Sequence, residues 1–247
     1  MKRVILTFVL LFSTLSVLAW NKLSFATIME IASKHLTAEA ASAAKQTLGK
    51  GFAENSIASY DKYNLWLDEN FHPLCNGASD ALVVAEQCVE RIKADRDDGE
   101  AILLLAKAIS DMHNVAYVRI RGNQLTNADF AVRRWNNREG RSARYNKVTW
   151  GNLWNHYYAN RHDIFTPALY AYDIELCQSD NREAFVKGNL SDWAADMGEE
   201  CRTIYTSDLA EGKAFRQEEI NEFEYMHERL MAKSGYRLAE ILNRLLK

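Results

Sequence analysis

Asp61, Asp111, His113, His156 and His162 are the side chains of this chain with the chemistry to hold a divalent cation. Carboxylate oxygens and imidazole nitrogens bind zinc when three or four of them converge on one point. Their spacing works against convergence. On a helix each residue turns about 100° from the last, so His113, two after Asp111, faces a different side. His156 and His162, six apart, fare no better, and the bland reading is a set of polar or surface residues. A second chemistry lies between Tyr117 and Trp150. Arg119, Arg121, Arg133, Arg134, Arg138, Arg141, Arg144 and Lys147 stand there against Asp129 and Glu139, a net of +6. Trp135 and Tyr145 are interleaved with them. Cations beside aromatic rings are the mix used on single-stranded nucleic acid, charges on phosphates and rings under bases. The same cations could equally pair with the acidic remainder of the molecule. No Ser-His-Asp set, glycine-rich phosphate loop or CxxC offers another chemistry.

The elements that position these residues are helical by pattern. Leu23, Ala26, Ile28, Ile31, Ala32 and His35 recur at three- and four-residue spacings behind Trp20, predicting an amphipathic helix. Thr37 caps a second helix, Ala38 to Leu48, and Gly49 stands where a left-handed C-cap is expected. Phe71 to Gly77 reads as a loop. Ser79 then caps a helix to about Ala94 with Leu82, Val83, Val89 and Ile92 inward. KADRDDGE is a solvated turn. Glu100 to Asn114 is apolar on nearly all faces and is expected to be the central buried helix. The basic stretch reads as a long loop, and Val148 to Asn160 as a helix. Further helices are expected over Pro167–Cys177 and Leu190–Tyr205, with a last pair from Phe215 to Lys247 broken near Ser234-Gly235. Two prolines and few glycines in 247 residues agree with an all-α, single-domain helical bundle.

Met1 to Ala19 has Lys2 and Arg3, an apolar run and a small-residue cleavage site before Trp20, the pattern of a secretory signal. The expected division is therefore a signal peptide, 1–19, and a helical domain, 20–247, exported to the periplasm or secreted, with no membrane span in the mature form. The net charge of −3 becomes −5 without Lys2 and Arg3, so everything outside the basic stretch sums to −11. Four cysteines, Cys75, Cys88, Cys177 and Cys201, are an even number and favour two disulfides in an oxidising compartment, with three possible connectivities.

An N-terminal Trp20 after the cleavage site, Leu36-Thr37-Ala38-Glu39-Ala40-Ala41-Ser42, Ser56-Ile57-Ala58-Ser59, Asn152-Leu153 and the closing Gly235-Tyr236-Arg237-Leu238-Ala239 together resemble the secreted, zinc-dependent, single-strand-specific nuclease and 3′-nucleotidase family. That resemblance spans almost the whole of 20–247 and implies the phospholipase C fold, a hydrolase and three zincs. It also implies which positions hold metal: the Trp20 backbone, Asp111, and the places taken here by Phe25, Lys62, Leu65, Lys107, Tyr117, Trp154 and Tyr158. None of those seven is a usual zinc ligand, and two are cations that repel a divalent ion. The resemblance further implies a Cys75–Cys201 disulfide, leaving Cys88 with Cys177.

The expectation is thus a pseudoenzyme, without zinc or another cofactor. Lys62 and Lys107 would pair with Asp111 as a plug in the old metal site or, alternatively, bind an anion. Its partner is expected to be a phosphate-rich ligand such as single-stranded nucleic acid, held by Arg133, Arg134, Arg138, Arg141, Arg144 and Lys147. Two other readings stay open: an active metal-dependent endonuclease or 3′-nucleotidase cutting phosphodiester bonds, and a protein-binding module.

Overall fold

A computed structural model of the chain describes residues 20–62, 65–68, 79–115, 118–119, 131–136, 144–149, 154–155, 164–206, 214–215 and 217–247. Helices carry the core. Helix α1 (Lys22–Lys34) starts where the Asn21 side chain accepts from Ser24 N at 2.8 Å. Helix α2 (Ala38–Leu48) has Thr37 on Ala40 N and ends at Gly49, whose φ of 75° is the left-handed conformation that glycine adopts without cost. After α3 (Phe52–Ala58) a 3-10 turn, Tyr60–Lys62, leads to strand β1 (Leu65–Asp68). Strand β2 (Ser79–Asp80) precedes α4 (Ala81–Ala94).

Two local expectations change at α4. Its cap is Asp80, which accepts from the amides of Leu82 and Val83; Ser79 instead pairs in the sheet. Val83 is 37% exposed, and the inward valine is Val84. Asp80 directly precedes Ala81, which puts its carboxylate within reach of the second and third helical amides.

Helix α5 (Gly99–Met112) is the centre. Asp98 caps it, and Ala101, Ile102, Leu105, Ala106, Ile109 and Met112 are all fully buried. Short strands β3 (Val118–Arg119), β4 (Ala131–Asn136) and β5 (Arg144–Thr149) follow, so Val148 and Thr149 end a strand where a helix is expected. Then come α6 (Pro167–Gln178), with proline in its first turn behind the Thr166 cap, the short α7 (Arg182–Phe185), α8 (Leu190–Thr206), β6 (Ala214–Phe215) and α9 (Gln217–Leu245). One sheet has order β2-β1-β3, all parallel; the other, β5-β4-β6, joins an antiparallel and a parallel pair.

The expected break at Ser234-Gly235 is absent: α9 runs through both residues as one helix of 29 residues. Gly235 is there because α1 touches α9 at this point. A Cβ on it would meet Ile31 Cγ2 at 2.6 Å and the Ile28 carbonyl at 3.1 Å. The burial gained at that crossing outweighs the propensity cost of one interior glycine, about 1 kcal/mol. Among the described residues no helix is long and apolar enough to cross a membrane. Residues 1–19 lie outside the described residues.

Candidate functional site

The residues that the resemblance places around the metals meet where α1, α3, α5 and α9 pack together. Trp20 is wholly buried, its indole Nε1 donating to the Ser110 carbonyl at 2.7 Å. The Tyr60 hydroxyl donates to the Trp20 carbonyl. Phe25, one turn into α1, is also fully buried and lies 5.3 Å from the Tyr60 ring. Burial pushes the Tyr60 phenol well up, with the charges of Asp111 and Asp61 adding to it, so the hydroxyl stays a donor.

Lys107 and Asp111 are four apart on α5, the spacing that stacks two side chains on one helix face. Lys107 Nζ donates to both carboxylate oxygens, at 2.6 and 2.5 Å, and the two side chains are 1% and 0% exposed. The ammonium also lies 5.9 Å from the Phe25 ring centre and 5.7 Å from that of Tyr60. An ion pair has therefore been walled in by aromatic rings, which supply the π-faces that soften a lysine's desolvation.

Trp154 is fully buried on the same side. Between it and Trp20 stands His227 of α9, edge-on to both rings at 5.3 and 5.0 Å. His227 carries no sequence signal as a ligand beyond Glu224, three residues before it. Its signal was the amphipathic pattern of α9, where Met226, Leu230 and Met231 share its burial. The structure thus brings together Trp20, Phe25, Lys107, Asp111 and Trp154. Leu65 is in β1, opposite Ser79 in the sheet. Lys62 closes the 3-10 turn, and Tyr117 and Tyr158 lie outside the described residues. Among the described residues no three His, Cys, Asp or Glu side chains are grouped to hold a metal ion.

His113 has a structural place. Its Nδ1–H donates to the Ile109 carbonyl at 2.7 Å, leaving Nε2 to accept from Arg237 Nη1 at 2.8 Å. Burial, then the neighbouring Arg237 charge, hold it well below 6.5 and neutral. Arg237 in turn donates to the Phe185 carbonyl at 2.8 Å and to Asp196 at 2.6 Å. Asp61 is exposed, and His156 and His162 lie outside the described residues.

The basic stretch is not a loop throughout. Strand β4 pairs antiparallel with β5, setting Arg133 opposite Lys147, Arg134 opposite Asn146, Trp135 opposite Tyr145 and Asn136 opposite Arg144. The run Val132-Arg133-Arg134-Trp135 mixes charge with β-forming residues, and cross-strand pairing wins where charge alone suggested a loop. Arg138 and Arg141 lie in the connection, outside the described residues.

The disulfide expectation also changes. Cys88, buried in α4, and Cys177, exposed on α6, are free thiols, so the Cys88–Cys177 bridge does not form. The two lie on helices whose packing is to other partners: α4 to α5, and α6 to α1. Cys201 is buried in α8, and Cys75 lies outside the described residues.

No protein-family model matches the chain, and no curated protein matches it.

Proposed function

We propose that this chain is an exported, non-catalytic protein of the zinc-nuclease type of helical fold that binds a phosphate-rich polyanion through its β4–β5 ribbon. The observation that carries the non-catalytic part is the Lys107–Asp111 contact. Both oxygens of the one carboxylate kept from the family pattern are held by an ammonium at 2.6 and 2.5 Å, in a space closed by Phe25 and Tyr60. Metal-assisted hydrolysis needs an ion that activates water and steadies the leaving oxygen, and a lysine can do neither in an ion's place.

The ribbon supports the binding part. Directly opposed like charges destabilise a strand pair, and Arg133 is set against Lys147. A bound anion removes that repulsion. By register, positions 133, 135, 145 and 147 fall on one face of the ribbon, two of them cations and two aromatic, the residue types that take a phosphate and a stacked base.

The test is fluorescence anisotropy of an oligo-dT with protein 20–247, across salt concentrations. Neutralising about four phosphates on a single strand gives a slope of log K on log salt near −3. Arg133→Glu, Arg138→Glu and Arg144→Glu combined should abolish binding, and added zinc should produce no cleavage. Tightly held zinc with chelator-sensitive cleavage would replace this reading by the hydrolase. A lack of binding at low salt would transfer it to a protein partner, for which α6 offers Leu169, Tyr172 and Leu176, 49–64% exposed at one-face spacing.

A further inference from the structure

A cavity of about 380 Å3 opens between α4, the first turn of α8 and the last turns of α9, remote in sequence from both the ribbon and the Lys107–Asp111 pair. Its volume is in the range of small-molecule sites, roughly 300–1,000 Å3. Val89, Leu190, Trp193, Ile241 and Leu245 line it with apolar surface. The Trp193 wall is fixed. Its Nε1 donates to the Lys187 carbonyl at 2.8 Å, and the Arg237 guanidinium lies 5.4 Å from its ring.

The charges lining the cavity are Lys93 from α4, Arg244 from α9 and Glu86 from α4. Glu86 is seven residues before Lys93, two turns or about 10 Å along the helix, so it belongs to the opposite end. Both cations have partners on their own helices, Lys93 with Glu90 at 2.7 Å and Arg244 with Glu240 at 2.9 Å. Lys93 and Arg244 are more than half exposed, and such pairs are weak enough for a ligand to exchange. The α8 backbone offers no anion site of its own, because Asn189 Oδ1 already takes the amides of Ser191 and Asp192.

We propose that this cavity binds an amphipathic organic carboxylate, its head between Lys93 and Arg244 and its apolar body along Val89, Ile241 and Leu245. The proposal does not depend on the nucleic-acid reading. The experiment is calorimetric titration of protein 20–247 with octanoate, octanol and octylammonium. Octanoate should bind saturably, one per chain, and about tenfold or more tighter than octanol, the size of one charge-assisted hydrogen bond. Arg244→Glu should reverse the order in favour of octylammonium, and Lys93→Glu, a second exposed site, should do the same. Val89→Trp, which fills the space, should remove binding of all three while leaving the helical circular-dichroism spectrum as it was. Non-saturable uptake, equal affinity for the three probes, or octanoate binding unmoved by both charge reversals would overturn the proposal.

Discussion

Lys107 and Lys233 both sit in the interior, each beside an aspartate and each over an aromatic ring. Lys107 finds its carboxylate within its own helix, one turn on, and is 1% exposed. Lys233 of α9, 8% exposed, reaches across to Asp196 and Glu200 of α8 at 2.8 Å each. Arg229 and Arg237, four residues to either side, extend that contact to Glu200 at 2.6 Å and Asp196 at 2.6 Å. The first ion pair closes within one helix, with the Phe25 and Tyr60 rings against its ammonium. It neutralises the buried Asp111 carboxylate. The second is a ladder joining α8 to α9 and, through Arg237, to α5 at His113 and to Phe185 at the end of α7. A buried pair inside one helix should be replaceable, and a shared ladder between helices should not.

The sharpest way to break this contrast is to remove one member of the inner pair. Asp111→Ala leaves Lys107 buried without its carboxylate and should cost about 3–5 kcal/mol in urea unfolding. Replacing both, Lys107→Met with Asp111→Leu, should return most of that loss or exceed the wild type, because apolar residues of like volume carry no desolvation penalty. A double variant as unstable as Asp111→Ala would show that the pair contributes more than charge balance, and the contrast would fall.

The ladder should behave the other way. Arg237→Met should destabilise by about 2 kcal/mol through the loss of charged hydrogen bonds to Asp196 and the Phe185 carbonyl, and pairing it with Asp196→Leu should not recover the loss. The reason is also the reason that part of the fold was legible in advance. Helix caps at Thr37 and Gly49 are local, so spacing alone announces them. The burial of α5 follows from its composition, while the Lys107–Asp111 pair is reached only through the resemblance, which places two ligand positions four apart on this helix. Arg237 could not be read that way. Its partners are 41, 52 and 124 residues distant, and what looked like a closing motif is a hub fixed by tertiary packing. Gly235 was misread for the same cause: a helix break and a helix crossing leave one residue in common, and only the presence of Ile31 decides between them. The ribbon needed register between strands eight or more residues apart, which charge counting does not contain.

The smallest effect is a slope and not a loss. His113 is neutral in the fold, faced by Arg237 and Lys233 as well as by Asp196, with burial the largest reason that its proton is refused. In the unfolded chain it titrates near 6.5. Its contribution to stability is therefore complete above that pH and is lost as pH falls below it, since the unfolded state then binds a proton that the folded state does not. One such proton gives a slope of at most about 1.4 kcal/mol per pH unit. Asp196 acts lower. Burial pushes it up, but Lys233 and Arg237 outweigh burial and hold it below 3.8, so its share disappears only under that value. Between pH 6.5 and about 4 the acid limb should thus carry the His113 proton before the ladder begins to open. In His113→Gln, whose amide can still donate to Ile109 O and accept from Arg237, urea midpoints measured across that window should flatten while the fall below 3.8 remains. An unchanged slope in the variant would mean that His113 is charged in the fold, and the Arg237 contact would then have to be rebuilt with a different donor.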